Sequence, residues 1–165
     1  MSNESFEKTT NAELAGKYLT FRLSHEEYGI GILKVVEIIK LMEITEVPRT
    51  PDFIRGVINL RGKVIPVVDL RGKFGMNTIN DTAETCIIVV NVQAQNATVQ
   101  MGILVDTVSE VLDIAAADIE PAPRFGSNID TAFILGMAKS KGTVKILLDI
   151  DKILSGAEVA SLSSF

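Results

Sequence analysis

Short runs of alternating apolar and polar residues cover most of the chain, and this alternation is typical of β-strands buried on one face. Residues 18–23 alternate in this way, a polar turn follows at residues 24–27, and residues 28–32 form a second run. Residues 86–92 are almost continuously apolar and predict a strand as well. Further strands are predicted at residues 44–48, 98–105 and 108–114. Gly and Pro residues separate these runs, so the pattern predicts an all-β fold with a few short helices.

The remaining segments carry weaker patterns. Residues 33–41 combine strand-forming Val and Ile with a helical spacing of their apolar positions, and both alternatives stay open. A helical turn is predicted at residues 51–54, with Thr50 as its N-cap. Other helical turns are predicted at residues 115–118 and 151–154. Residues 1–16 predict a disordered leader, and residues 155–165 predict a frayed tail.

The longest regular feature is a hairpin pattern that occurs twice. Residues 54–70 contain two β-rich runs around Arg61–Gly62, and residues 134–150 repeat the arrangement around Lys141–Gly142. The identical positions are Phe53, Ile54, Gly56, Gly62, Val64 and Asp69, which recur as Phe133, Ile134, Gly136, Gly142, Val144 and Asp149. A tight hairpin turn needs positive φ, so Gly62 and Gly142 are predicted to be structural turn residues with φ above zero.

Weaker matches extend the repeat upstream. Gly29, Val35 and Glu37 correspond to residues 73 positions later, and Pro48 and Arg49 to residues 75 positions later. Matched blocks in the same order predict two similar barrels related by internal duplication. The first barrel is expected mainly at residues 17–80 and the second mainly at residues 85–150, and an exchange of strands between them is left open.

Composition narrows the class of protein. The chain has 165 residues, 47% of them hydrophobic, with no apolar run long enough to span a membrane and no signal-peptide pattern. Its single cysteine, Cys86, forms no internal disulfide, which favours a reducing cytoplasm. A net charge of −5 and 5% aromatic residues argue against a nucleic-acid-binding small barrel, which is the alternative function for this fold.

Candidate catalytic groups are sparse. His25 has no second histidine at metal-binding spacing, Cys86 has no histidine partner in its half, and no phosphate-binding glycine loop is present. Asp69, Asp106 and Asp149 each end an apolar strand, and turn or helix-capping roles suit them better than metal ligation. The sequence therefore predicts a protein that is not an enzyme and has no cofactor or metal. An enzyme with a carboxylate site is the weaker rival.

The two hairpin turns differ outside their glycines. The first carries Arg61 where the second carries Lys141. Arg61 suits a protein interface, because its planar guanidinium pairs bidentately and stacks. Basic residues surround it in sequence and form either an interaction patch or an ordinary solvated face: Arg49, Arg55, Lys63, Arg71 and Lys73.

These motifs resemble the CheW family of bacterial chemotaxis coupling proteins over residues 17–154. The strongest signature is Gly-Val-x-Asn-Leu-Arg-Gly-x-x-x-Pro-x-x-Asp-Leu at residues 56–70. Glu-Tyr-Gly-Ile at residues 27–30, Val-x-Glu-Ile at residues 35–38, Val-Asp-x-Val-x-x-Val-Leu at residues 105–112 and the Pro-Ala-Pro loop complete it.

The resemblance implies two SH3-like five-stranded β-barrels and an adaptor function. Such an adaptor couples the cytoplasmic tip of a chemoreceptor, a methyl-accepting chemotaxis protein, to the regulatory domain of the histidine kinase CheA. It is cytoplasmic and recruited to membrane receptor arrays. By motif, the receptor-binding residues are Val35, Glu37, Gly56, Arg61 and Val108. Val35 and Val108 are expected to line an apolar groove where the barrels meet, whereas the motifs assign no kinase-binding residue.

Overall fold

A computed structural model of the chain describes residues 13–77, 80–94, 97–122 and 132–153. The described residues are mostly β-strands joined by short turns, which confirms the predicted all-β class. The strands are β1 (Gly16–Leu23), β2 (Glu26–Gly31), β3 (Val35–Lys40), β4 (Ile54–Leu60), β5 (Lys63–Asp69), β6 (Cys86–Ala94), β7 (Ala97–Val105), β8 (Thr107–Ile114), β9 (Ile119–Glu120), β10 (Ile134–Ser140) and β11 (Thr143–Leu148). One short helix follows the last strand of each repeat: α1 (Leu70–Lys73) follows β5, and α2 (Ile150–Ile153) follows β11.

The strands form two sheets that exchange a hairpin. The central sheet has the order β3-β6-β7-β5-β4, and the terminal sheet has the order β8-β1-β2-β11-β10-β9. The β1–β2 hairpin of the first repeat thus joins strands of the second, and the β6–β7 hairpin joins strands of the first. Strands are thus exchanged between residues 17–80 and residues 85–150, which is the alternative that the sequence left open. Each sheet forms an SH3-like barrel, called here the central and the terminal barrel. The central sheet has the predicted five strands, and the terminal sheet adds the two-residue β9.

Two parallel strand pairs show that the duplication is structural. In the terminal sheet β11 pairs with β2, placing Leu147 opposite Gly29. In the central sheet β5 pairs with β7, placing Val67 opposite Gly102. Val67 and Leu147 are 80 positions apart, and Gly29 and Gly102 are 73 apart, which are the two spacings of the sequence repeat. Both copies of the hairpin therefore meet the exchanged hairpin in the same register.

Three apolar clusters account for the packing. The terminal barrel has its own small core, which includes Tyr18 and Leu147, and the central barrel has another, which includes Ile65 and Ile87. The largest cluster, called here the shared core, contains residues of both sheets. The members of the shared core from β1 and β6 are Leu19, Phe21, Leu23, Ile88, Val90 and Val92. Strand β6 is apolar on both faces because one face lines the central core and the other the shared core.

Several short segments depart from the predictions or settle them. Residues 33–41 are neither one strand nor one helix, because a 3₁₀ turn at Ile32–Lys34 precedes β3. The predicted helical turn at residues 51–54 is wrong: the Ile54 N–H donates to the Pro51 carbonyl in a turn that leads directly into β4. The Thr50 hydroxyl donates to the Val47 carbonyl instead of capping a helix.

The predicted ends of the chain are only partly within the described residues. Residues 1–12 of the predicted leader and the whole predicted tail lie outside them. Leu14 contradicts the leader assignment, because its side chain packs against the terminal core and its carbonyl accepts a hydrogen bond from the Tyr18 hydroxyl at 2.6 Å. No described helix is long and apolar enough to cross a membrane.

Both turn glycines have the predicted positive φ, 87° at Gly62 and 80° at Gly142. A valine at either position is expected to lower the free energy of unfolding by about 1–3 kcal/mol, because a β-branched residue resists this conformation. A Cβ at Gly62, Gly142 or Gly31 would meet nothing within 4 Å, but Gly31 has an ordinary φ of −56°. Gly31→Val is thus a matched control and is expected to cost less than about 0.5 kcal/mol. Urea unfolding of the three variants tests this, and equal losses at all three positions would contradict it.

Candidate functional site

The β4–β5 hairpin places Arg61 at an exposed tip. Leu60 pairs with Lys63, so the turn has only two residues, Arg61 and Gly62, with φ values of 53° and 87°. Positive φ at both positions is the conformation of a type I′ turn, which matches the twist of the flanking strands. The Asn59 carboxamide oxygen accepts a hydrogen bond from the Gly62 N–H at 2.8 Å and closes the turn. The Arg61 side chain is 69% exposed.

Glu37 holds this guanidinium in place. Val35 pairs with Val90 and Glu37 pairs with Val89, so Val36 is the extra residue of a β-bulge in β3. A bulge changes the direction of the side chains around it. The Glu37 carboxylate accepts a hydrogen bond from Arg61 Nη2, and this bond, together with the negative charge of Glu37, raises the pKa of Arg61. Two of the five predicted site residues are thus in direct contact.

Exposed aliphatic side chains accompany the ion pair. Val36 and Ile38 are 42% and 45% exposed on either side of Glu37, and Val64 is 56% exposed just beyond the turn. Leu33, in the 3₁₀ turn before β3, is 94% exposed. Exposed aliphatic residues on β3 and just after the turn are typical of protein-binding surfaces.

Val35 and Val108, the two residues predicted to line the groove, belong to different barrels but pack against the same shared core. Val35 is half-buried on β3, and Val108 is half-buried on β8. Both pack against the shared core, and neither is sealed inside the core of its own barrel. This position is the one that a groove between the barrels requires. Contact of Val35 and Val108 with a partner stays a prediction.

Gly56 has a structural reason to be glycine. It is buried, its φ is 142°, and a Cβ added to it would lie 2.1 Å from the carbonyl oxygen of Thr45. Thr45 and Val57 exchange two backbone hydrogen bonds of 2.8 Å at this point. Close approach of two backbones therefore explains the glycine without a partner, and its predicted role in receptor binding stays a prediction.

The second repeat carries the same arrangement with different residues. Lys141 and Gly142 have φ values of 52° and 80°, and Lys141 Nζ donates to Glu110 Oε1 at 2.7 Å. Glu110 also follows a bulge, where the buried Thr20 hydroxyl donates to its carbonyl at 2.7 Å and accepts from its N–H at 3.1 Å. The repeat aligns Glu37 with Glu110 and Arg61 with Lys141, and each glutamate pairs with the base of its own repeat. The joint recurrence of an acid on the bulged strand and a base in the turn is the only trace of these ion pairs in the sequence.

The basic residues around Arg61 in sequence do not form one patch. The Arg55 guanidinium pairs with Asp81 at 3.0 Å, and Lys63 Nζ donates to the Gln100 side chain at 3.1 Å. Lys73 lies over the ring of Phe53 at 4.7 Å. The sequence left an interaction patch and an ordinary solvated face as alternatives, and these contacts give each of the three side chains a separate local partner.

The three strand-ending aspartates have two different roles. Asp69 and Asp149 are helix caps as predicted: their carboxylates accept the N–H groups of Arg71 and Asp151 at 3.0 and 3.1 Å. Asp106 is not a cap. Its two oxygens accept from Arg71 Nε at 2.8 Å and Arg71 Nη2 at 2.7 Å.

The Arg71–Asp106 pair changes the acidity of both groups. Burial alone would raise the pKa of Asp106, but the hydrogen bonds from Arg71 and from the Ser24 N–H, with the Arg71 charge, lower it. The hydrogen bond to Asp106 raises the pKa of Arg71 despite its burial. Arg71 also donates to the Asn77 carbonyl at 2.9 Å and is 8% exposed. In the sequence Arg71 is only one of several neighbouring basic residues, and no local pattern connects it with Asp106, 35 positions later.

The remaining candidate groups show no catalytic arrangement within the described residues. His25 is exposed in the β1–β2 turn. Cys86 is half-buried, and burial raises the pKa of its thiol. Among the described residues no group of three or more His, Cys, Asp or Glu side chains has the geometry of a metal site.

Comparison with known proteins gives one family. The family model described as "CheW-like domain" matches residues 17–158. A chemotaxis protein CheW of Klebsiella aerogenes is 42% identical over 156 residues, covering 92% of each chain. A chemotaxis protein CheW of Helicobacter pylori is 34% identical over 138 residues, covering 84% of this chain and 81% of that protein. The crystal structure of the scaffolding protein TtCheW from Thermoanaerobacter tengcongensis superposes with a TM-score of 0.77 at 39% identity, covering 88% of this chain and 97% of that chain.

Proposed function

Because the chain belongs to the CheW-like family of chemotaxis scaffold proteins, we propose that it couples the cytoplasmic tips of chemoreceptors to the regulatory domain of the histidine kinase CheA. In this role it is cytoplasmic and is recruited to receptor arrays at the membrane. The observation that carries the proposal is the 42% identity to a chemotaxis protein CheW over 92% of both chains. An adaptor needs binding faces and no active site, so its function depends on the geometry of its surfaces.

The packing of the two barrels suits an adaptor. The shared core contains buried residues of both sheets, and each sheet contains a hairpin of the other repeat. A contiguous, close-packed core of this kind resists relative motion of its parts. Surfaces on the two barrels are thereby held at a fixed distance and orientation, which is the property that joining two partners in an ordered assembly requires.

The receptor-binding surface that we propose is centred on Arg61. The guanidinium stands on a rigid two-residue turn, and Glu37 restricts its orientation. A pre-positioned arginine loses less conformational freedom on binding than a free one, and it pairs well with a carboxylate or a carbonyl of a partner. Val64, on β5 just after the turn, adds exposed apolar area at this end of the hairpin. The surface combines a charged anchor with aliphatic contacts, which is suitable for the side of a helical receptor tip.

The duplicated hairpin provides an internal control for this proposal. Arg61→Ala is expected to weaken binding to a receptor signalling fragment about tenfold to a hundredfold, as for an anchoring arginine in an interface. Lys141→Ala is expected to change it less than about twofold. Each substitution removes one positive charge and one ion pair with a glutamate from a turn of the same conformation. Isothermal titration calorimetry measures both affinities, and thermal melts check that both variants are folded.

The comparison separates a specific contact from general electrostatics. Equal losses in the two variants would mean that the total charge of the protein, and not Arg61, determines the affinity. Unchanged binding of Arg61→Ala would overturn the assignment of Arg61. Lack of binding of the unmodified protein to any receptor fragment or to the kinase regulatory domain would overturn the proposed function itself.

A further inference from the structure

The chain crosses from the terminal sheet to the central sheet at one short segment, and an ion pair fixes this crossing. The segment is the 3₁₀ turn Ile32–Lys34, between β2 and β3. Lys34 Nζ donates to Asp151 Oδ2 at 2.6 Å, and Asp151 lies on α2. The other oxygen, Asp151 Oδ1, accepts the N–H of Gln93 in β6 at 2.9 Å. One carboxylate thus connects the crossing, the helix after β11 and the exchanged β6–β7 hairpin.

The geometry of this clasp, defined as Lys34, Asp151 and the Gln93 N–H, restricts its members. The side chains of Lys34 and Asp151 are 34% and 28% exposed, so water screens the pair only partly. The N–H of Asp151 donates to Asp149 Oδ1 at 3.1 Å, and this cap holds the start of α2. The carboxylate is therefore anchored on one side by its helix and on the other by two groups of the opposite barrel.

The return crossing has the same connection with the charges reversed. There the acid, Asp106, lies between β7 and β8, and the base, Arg71, lies on α1. Asp106 Oδ2 also accepts the N–H of Ser24, in the turn of the other exchanged hairpin, at 2.7 Å. Each crossing is tied to the helix that ends a repeat and to an exchanged hairpin. The acid and the base change places between the two crossings, so what they share is an ion pair between the crossing segment and a helix, and not the sign of the charge at the crossing.

We propose that the Lys34–Asp151 clasp positions the binding strand β3. Lys34 directly precedes Val35, the first residue of β3, and Glu37 lies two positions further on, so the clasp restrains the backbone where β3 begins. β3 is an edge strand of its sheet, paired with β6 alone, and its bulge at Val36 weakens the pairing there. The ion pair of Lys34 with Asp151 restrains the beginning of β3, where strand pairing is weak. The inference rests on the proposed function only in naming the receptor as the partner that β3 contacts.

The test separates positioning from binding. Asp151→Asn keeps an acceptor for the Gln93 N–H but removes the charge that holds Lys34. Spin labels at Ile38 and Val111, which are 45% and 48% exposed on β3 and β8, report the distance between the two barrels in a Cys86→Ala background. The variant is expected to show a broader distance distribution and, without labels, a receptor affinity about threefold to tenfold lower. Asp151→Glu keeps both the negative charge and an acceptor for the Gln93 N–H, and its distribution is expected to stay narrower than that of Asp151→Asn.

A matched control uses an ion pair within one sheet. Glu120→Gln removes the 3.0 Å pair with Lys139 and is expected to change neither the distribution nor the affinity. An unchanged distribution in Asp151→Asn would overturn the inference, as would a broadened distribution with full receptor affinity. A distribution in Asp151→Glu as broad as in Asp151→Asn would also overturn it. If the unmodified protein binds no receptor, the proposed function fails, and the distance distribution still decides whether the clasp fixes β3.

Discussion

Gly56→Ala is expected to lower the free energy of unfolding by about 3 kcal/mol or more, because the new Cβ has no space. It would lie 2.1 Å from the carbonyl oxygen and 2.7 Å from the carbonyl carbon of Thr45, and backbone atoms cannot rotate away as a side chain does. The φ of 142° adds strain for any residue with a Cβ. Relief requires the Thr45–Val57 bridge to open, which leaves backbone groups without their hydrogen bonds. Urea unfolding monitored by circular dichroism measures the loss.

The repeat again provides the control. A Cβ at Gly136 would lie 2.9 Å from a methyl group of Ile119 and 3.0 Å from the Glu120 carbonyl oxygen, without the unusual φ. Gly136→Ala is therefore expected to cost roughly 1–2 kcal/mol, less than Gly56→Ala. Melting of Gly56→Ala like the unmodified protein would contradict the steric argument. A folded Gly56→Ala protein that selectively loses receptor binding would instead support the partner contact predicted from the motif.

The repeat in the sequence predicted the elements but not their assembly. Matching Gly62 with Gly142 gives two hairpins with positive φ, and both are present. It does not show which repeat supplies the hairpin that completes each barrel, because either repeat offers the same apolar pattern. The packing of β6 against two different cores requires apolar residues on both faces, which the run at residues 86–92 has. An apolar run of this kind is also expected for any fully buried strand, so by itself it does not show that β6 lies between two cores or that its hairpin is exchanged.

The site was predicted less completely than the fold. The motif resemblance named Glu37 and Arg61, but they are 24 positions apart, and β3 and β4 are opposite edges of the central sheet. Their contact therefore depends on the closure of the barrel as well as on the bulge at Val36 and the turn conformation. The turn argument considered glycine alone, whereas Arg61 also has positive φ. A non-glycine residue takes this conformation at a cost that the surrounding hairpin compensates, and such compensation is not visible in local sequence.

Asp106 has a partner that the pattern of strand-ending aspartates does not indicate. It ends an apolar strand as Asp69 and Asp149 do, which predicts a turn or helix-capping role for all three, and Asp106 does accept the N–H of Ser24 in the β1–β2 turn. The two confirmed caps occupy equivalent repeat positions before a helix, whereas Asp106 is followed directly by β8. A strand cannot use an N-cap, so the carboxylate finds a cation instead. Its partner Arg71 is 35 positions away, on the other side of the sheet crossing.

Asp106→Asn is expected to lower the free energy of unfolding by about 2–3 kcal/mol at pH 7, since it leaves the buried Arg71 charge without its counter-ion. The loss is below that for a fully buried pair, because the Asp106 side chain is 21% exposed and Arg71 keeps its bond to Asn77. Asp113→Asn is the matched control: Asp113 pairs with Lys17 at 3.7 Å, and both side chains are more than 60% exposed. The control is expected to change stability by less than about 0.5 kcal/mol.

The pH dependence of this difference tests its electrostatic origin. Arg71 and the Ser24 N–H lower the pKa of Asp106 in the folded protein below the unfolded value of about 3.9, so the folded chain takes up this proton only at lower pH. The stabilisation is therefore present above pH 4 and is lost as the pH falls through the folded-state pKa. Asparagine has no such proton, so the difference between the unmodified protein and Asp106→Asn should shrink below about pH 4. Chemical unfolding at pH 7 and pH 3 measures it. A difference that is the same at both pH values would assign the loss to packing and contradict the ion-pair explanation.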